Sequence, residues 1–494
     1  MNNTRQIFWA SFLTLIAAGM GFSIRGGILG DWGEQFGFTK GELGTITGGG
    51  LIGFGFTIIG CSLFIDKVGY KPLMIVAFLL HVGSAIVTLA ATPVYDSMIS
   101  NGDAGAAKDA TYALLFWGMF MFSLANGVCE AVINPLVATM YPRQKTHYLN
   151  ILHAGWPAGL IVGGLLAYFF CGRGAVVTQL QWEIPMCFFL APTLWYGIIT
   201  VKEKFPISEA KAAGIGFGTM MKEFAAPMMI FLLFLHALIG YVELGTDSWI
   251  TNIMNNVIQG RAILLLVYTA GIMFVLRFFA GPIVEKINPL GLLFVTAVLG
   301  SIGLYSLGEA QTGTAIIVAA TIYGVGKTFF WPTMLGVVGE RFPRGGALTM
   351  GAVGGVGMLS AGFLGGPGIG YTQDYFASEK LKQESAEVYE AYASTNENVL
   401  RITGLDGQKV GDVQEKIDTG ATLSADEELV RDAGIYGGRM ALKWTAVVPA
   451  TMAVGFLILV IYFMSVGGYK VEVLHGAEPE GEHYTGGVEG PMEA

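Results

Sequence analysis

Charge is scarce in this 494-residue chain: Asp, Glu, Lys and Arg together make up 13% of it, against 53% for apolar residues. A soluble domain carries roughly 25% charged residues, and a soluble interior has no room for the apolar excess. Cysteine is also scarce. Cys61, Cys129, Cys171 and Cys187 lie in or at the ends of apolar runs without metal-ligand spacing, which points to packing and not to a disulfide framework. No His-Glu-x-x-His run and no serine-nucleophile motif is present, so neither a metal nor enzymatic chemistry is expected. No Gly-Lys-Ser/Thr accompanies the glycine-rich stretches GGGLIGFG (48–55) and GAVGGVG (351–357), so they read as helix-packing faces and not as phosphate loops. No basic stripe with interleaved aromatics is found, which excludes a nucleic acid partner, and no cofactor is implied.

What is present is apolar length. Runs of about 20 residues, enough to cross roughly 30 Å of hydrocarbon, recur as far as residue 466. They predict spans near 7–29, 42–65, 72–92, 111–140, 148–171, 183–201, 226–250, 262–282, 291–308, 314–338, 347–370 and 443–466. The fold class expected is all-α integral membrane, with twelve transmembrane helices. The opening MNNTRQIFWASF lacks a small-residue cleavage site, so the first run is expected to remain as a span.

Lys and Arg concentrate in one set of short loops (Arg5, Lys67, Lys71, Arg143, Lys145, Lys202, Lys204, Lys211, Lys222, Lys286, Arg341, Arg344). The other set holds only Lys40, Lys108, Arg173 and Arg261. This asymmetry predicts cytoplasmic termini and residence in the cytoplasmic (inner) membrane. The net charge of −9 comes from an insertion at 371–442, with 14 acids against 7 bases, and from a tail at 467–494 with six acids and Lys470. The insertion is too polar for a large core of its own, and serves either as a cap over the outer mouth or as a spacer.

A polar connector, 202–225, divides a first half (1–201) from a second (226–466), and the halves read as repeats. Asp66-Lys67-Val68-Gly69 after span two matches Glu285-Lys286-Ile287-Asn288 after span eight, each an acid, a base and a turn residue. Aligning Pro135 of span four with Pro332 of span ten sets Gly127 against Gly324 and Glu130 against Lys327. Helices related by such a pseudo-two-fold line a common cavity, where secondary transporters bind solute.

Twelve spans in two sixes with Asp-Lys-x-Gly-Tyr-Lys after span two resemble the major facilitator superfamily over nearly the whole chain. Gly127-x-x-Glu130-x-x-x-Asn134-Pro135 with Leu149-Asn150, and Tyr241-Val242-Glu243 with Trp249, resemble the fucose/galactose/glucose proton symporter family. That resemblance implies a fourth-span Glu in the proton and sugar machinery; the likeness to the superfamily implies a gate role for the loop motif of Asp66, Gly69 and Lys71, and Arg277, eight residues before Glu285 of the matching loop, is assigned to the same gate by its place in the sequence. This chain departs from the pattern at Ser62 and Tyr70 of the loop motif, and at Ser23-Ile24-Arg25, where those relatives carry an Asp late in span one.

Asn126, Glu130 and Asn134, spaced four apart, share one helix face and offer both donors and acceptors to hydroxyls. An acid within a span costs about 2.5 to 3.5 kcal/mol on insertion scales, so Glu130 is read as functional. Span seven carries His236, Glu243 and Asp247 on one stripe, and the two acids repel unless one holds a proton or Arg25 or Lys327 lies near. Span five places Asn150, His153 and Trp156 on one side; Lys327 and Trp331 share a face of span ten. His81 has no polar company on its face and reads as core. The expected solute-binding set is Asn126, Glu130, Asn134, Asn150, His153, Glu243, Lys327, Trp331 and Arg25, with proton coupling through Glu130, Glu243 and Asp247. Glu130 and Lys327 are expected to pair across the cavity, and Arg277 to belong to the inner gate. The function expected is monosaccharide:proton symport by a monomer in the bilayer. The alternatives are an exporter or organic-anion carrier of the same fold, and a membrane sugar sensor that does not transport.

Overall fold

The computed structural model describes residues 3–38, 40–172, 175–258, 262–394, 404–418 and 420–474. Arg173, Arg261, the part of the insertion near residue 400 and the tail beyond 474 lie outside them. Apart from one isolated bridge between Ala393 and Leu405, the described residues with regular structure are helical. Ten helices are long and apolar enough to cross a bilayer, and two shorter apolar helices, Gly53–Ser62 and Ile263–Arg277, lie in spans two and eight. These are the twelve expected spans.

Glycine sets how closely the spans approach. Span seven runs as Pro227–Gly240, a π-helical turn Tyr241–Gly245, and Thr246–Ile258. Span eleven has the same form: Gly346–Ser360, a π-helical turn Ala361–Gly365, and Gly366–Glu384. The two turns pack against each other at Gly245 and Gly365, and a Cβ on Gly240 would fall 1.9 Å from the carbonyl oxygen of Gly357. No larger residue fits that crossing without moving a backbone.

The repeated loop motif is repeated in conformation too. Gly69 ends the short helix Ile65–Val68 with φ +90°, and Asn288 interrupts Ala280–Glu309 with φ +54°. Both have ψ of about 165°, a region open to Gly but outside the left-handed helical one that Asn tolerates, so the turn at Gly69 follows from its residue while Asn288 holds the same conformation at a cost in strain.

The insertion is a prolongation of two spans. Gly366–Glu384 and Ala425–Thr445 continue spans eleven and twelve and pack on each other, with Leu381, Val388, Val413, Val430 and Ala433 buried between them and the segments they enclose. Ser424 and Glu427 form a reciprocal cap on the returning helix. The pair packs on spans seven and nine, so it stands on the second half.

Both described ends and the connector meet on one face. The Asn3 amide donates to the carbonyl of Lys204, and the Tyr469 hydroxyl donates to Glu340 at the end of span ten, 2.7 Å. On this face the halves are joined by polar contacts. Lys145 Nζ, at the start of span five, donates to Glu209 of the connector at 2.7 Å and to the Gly339 carbonyl at 3.0 Å. Glu340 accepts from the Thr146 amide (3.0 Å) and hydroxyl (2.6 Å). The Gly281 amide donates to His147 Nδ1, and Asn150 Nδ2 donates to Thr333. Toward the opposite face, packing around span one loosens: Ser11, Leu15 and Ala18 are buried, whereas Phe22, Gly26 and Gly30 of the same stripe are exposed.

These contacts make Glu340 a lock on one face. Glu340→Ala removes the two hydrogen bonds by which Thr146 of the first half meets a buried carboxylate, each contributing roughly 1.5 to 3 kcal/mol, so the sealed state should lose at least about tenfold in relative population. Alkylation of Ala138→Cys by an impermeant maleimide applied to that face, with the native cysteines replaced, should accelerate accordingly. An unchanged rate would show that Glu340 does not hold the face shut.

Candidate functional site

Midway along spans four, five, seven, eight and ten the structure gathers five of the ten buried charged side chains among the described residues. Glu130 Oε2 accepts from Asn134 Nδ2 at 2.6 Å, one turn along span four. Asn134 Oδ1 lies 2.8 Å from His153 Nε2 of span five. With the amide nitrogen committed to Glu130, the oxygen must accept, so this His153 nitrogen carries the proton. The His153 carbonyl accepts from Arg277 Nη1 (2.6 Å), whose Nη2 donates to Glu243 Oε1 (3.0 Å) and whose Nε donates to the Thr328 carbonyl (2.7 Å). Glu243 Oε2 receives the Trp331 amide at 3.2 Å. Lys327 Nζ pairs with Asp247 Oδ1 at 2.5 Å and lies over the Tyr323 ring.

Glu130, Asn134 and His153 belong to the first half; Arg277, Glu243, Trp331, Lys327 and Asp247 belong to the second. The hydrogen-bonded chain therefore crosses the interface between halves. Three carboxylates meet two cations here, and Glu130 is the carboxylate without an ion pair among the described residues. Glu130 and Asp247 keep 8% and 9% exposure, while Lys327 and Arg277 have 0% and 1%. Access, where it exists, is to the acids.

Several expectations are corrected. Lys327 does not pair with Glu130: its partner is Asp247, in its own half. Arg277 is not part of an inner gate but the central cation that holds Glu243, while Glu285 is exposed at the surface. Each acid of span seven has its own cation, so neither needs a proton to relieve repulsion. Asn150 lies with Thr146 and Thr333 in the closure and not beside Glu130. Asn126 faces away to His81 Nε2 (2.9 Å), and His81 Nδ1 meets the Tyr196 hydroxyl (2.8 Å), so His81 does have polar company. The Trp331 ring is 5% exposed and packs 4.6 Å from the His236 ring, within the second half. Asp66 accepts from the Ser208 hydroxyl of the connector, and Lys71 donates to the carbonyls of Val201 and Glu203 at the end of span six. Those two residues tie the loop motif to the connector, not directly to the second half. Arg25 lies over Phe122 with Phe189 beside it, and has no hydrogen bond or ion pair to Glu243. Lys145, Thr146 and Glu340 were not singled out from sequence as a closure; Thr146 and Glu340 are 194 residues apart, and no local pattern links them.

The sequence profile of the Major Facilitator Superfamily matches residues 11–366. No curated protein sequence matches the chain significantly. Among solved structures, the chain is similar to the E. coli fucose:proton symporter FucP, with 14% identity, TM-score 0.60, and 91% of this chain and 98% of that one covered. It is also similar to the proton:xylose symporter XylE, with 12% identity, TM-score 0.65, and coverage of 96% and 98%. A bacterial homologue of the human lysosomal transporter Spinster, inward-facing, gives 15%, 0.63, and 94% and 98%. At these identities the likeness is one of fold.

Proposed function

The chain belongs to the Major Facilitator Superfamily, and on that premise we propose that it is a proton-coupled secondary transporter of a small polar solute, a monosaccharide or close derivative, working by alternating access. Its membership makes it an integral membrane transporter and not an enzyme. The observation that carries the finer reading is the polar chain from Glu130 through Asn134 and His153 to Arg277 and Glu243, with one carboxylate more than the cations balance. A proton on Glu130 neutralises the excess, and its loss restores a charge that the interface must answer by rearranging. Carboxylate, amide and imidazole also form the mixed donor and acceptor set that hydroxyl groups require.

The orientation follows from the Lys/Arg asymmetry: the face holding the termini is the cytoplasmic one. With that face sealed through Lys145, Thr146 and Glu340, the conformation described is closed to the cytoplasm. Rocking of the halves breaks these contacts and opens the other side.

The test is uptake of labelled sugars and sugar derivatives into proteoliposomes with and without an inside-alkaline pH gradient. Accumulation should require the gradient, and a protonophore should abolish it. Accumulation indifferent to the gradient would remove proton coupling; the absence of counterflow for every solute would remove the transport of this class.

A further inference from the structure

Arg25 is a buried cation without an ion-pair partner among the described residues. It is 1% exposed, on span one, with its guanidinium 3.7 Å from the Phe122 ring centre and 4.9 Å from that of Phe189. Its one hydrogen bond is from Nη1 to the Gly21 carbonyl at 3.3 Å, and Nε and Nη2 have none. These two nitrogens form one edge of the guanidinium, the fork that meets a carboxylate with two parallel hydrogen bonds. A charge held dry with its binding edge unused is costly, and the usual resolution is a ligand that completes it.

The place fits a ligand that enters from the side opposite the termini. Gly26, next in sequence, is exposed with open space where a side chain would stand, and Phe22 on the same stripe is exposed beside Trp156. Phe122, which covers the guanidinium, is eight residues from Glu130 on span four, about 12 Å along the helix.

We propose that Arg25 is an anion subsite of the solute pathway, and that the solute is a sugar acid whose carboxylate meets the Nε and Nη2 edge while its hydroxyls meet Glu130, Asn134 and His153. This rests on the transporter reading above and narrows its substrate class. Lys, a point charge without the fork, is an incomplete replacement.

The experiment is binding to the purified full chain in detergent by calorimetry, with D-glucuronate and D-gluconate against D-glucose. The acids should bind at least about tenfold more tightly than D-glucose. Arg25→Gln should remove that preference, although it also gives up the contact with Phe122 and the hydrogen bond to Gly21; Arg25→Lys, which keeps the charge, should keep part of it. Equal affinity of acids and D-glucose, no binding of either acid, or a preference that survives Arg25→Gln overturns the subsite. Should Arg25→Gln fail to fold, the parent's preference and its partial loss in Arg25→Lys decide the matter. Gradient-driven uptake of D-glucose with no preference for acids would sink this proposal and leave the transporter standing. Tight binding of acids without any counterflow would do the reverse.

Discussion

Glu130→Gln is expected to bring accumulation of solute under an imposed pH gradient down to the level seen without one, while exchange of solute across the membrane continues. Gln keeps the shape of the protonated acid and can still accept from Asn134, whose amide now lies 2.6 Å from Glu130 Oε2. It cannot release a proton. The other two central carboxylates are tied to Arg277 and Lys327, so removing Glu130 as a titrating group leaves no unpaired acid in the cluster among the described residues. On the proposed coupling, empty return of the wild-type carrier depends on the charge state of Glu130, whereas in the variant the site stays neutral and solute alone sets its direction. The measurement is uptake and counterflow on the same proteoliposome preparation. Continued gradient-driven accumulation would mean that Glu130 is not the coupling acid, and Glu243, which reaches the same chain through Arg277, would take its place.

What could be read in the sequence was what local physics determines. Hydrophobic length marks the spans, because the bilayer sets a length scale that helices must meet. The paired turns at Gly69 and Asn288 were legible because an acid, a base and a turn residue recur at matching places. The Glu130–Asn134 contact follows from four-residue spacing on one helix. Helix phase was not legible where regularity breaks. The stripe drawn through His236, Glu243 and Asp247 assumes an unbroken α-helix, but the π-helical turn Tyr241–Gly245 admits an extra residue and rotates Asp247 relative to Glu243. That rotation lets each acid take a separate cation. Arg277 misled for a related reason: nearness in sequence to the loop at Glu285 suggested a gate, whereas its long side chain reaches His153 and Glu243 in the middle of the protein.

Lys327→Met should destabilise the purified protein strongly, and Asp247→Leu in the same chain should recover most of the loss. The two groups form a 2.5 Å pair with side-chain exposures of 1% and 9%, which joins span ten to span seven within the second half. Removing either partner leaves a buried charge without its ion pair, at a cost of about 3 to 5 kcal/mol, whereas replacing both by apolar groups of similar volume is often neutral or better. Arg277 does not offer the same recovery, because it also donates to the Thr328 and His153 carbonyls, and a double change there would strand two backbone acceptors. A double-mutant cycle on the thermal unfolding midpoint, in one detergent at one pH, isolates the coupling between Lys327 and Asp247. Additive losses would show that the pair contributes nothing beyond its separate members. A large coupling would identify it as a clamp inside the second half, one that keeps spans seven and ten moving as a unit. The contacts between Thr146 and Glu340, which do cross the interface, would then be the ones that break when the halves rock.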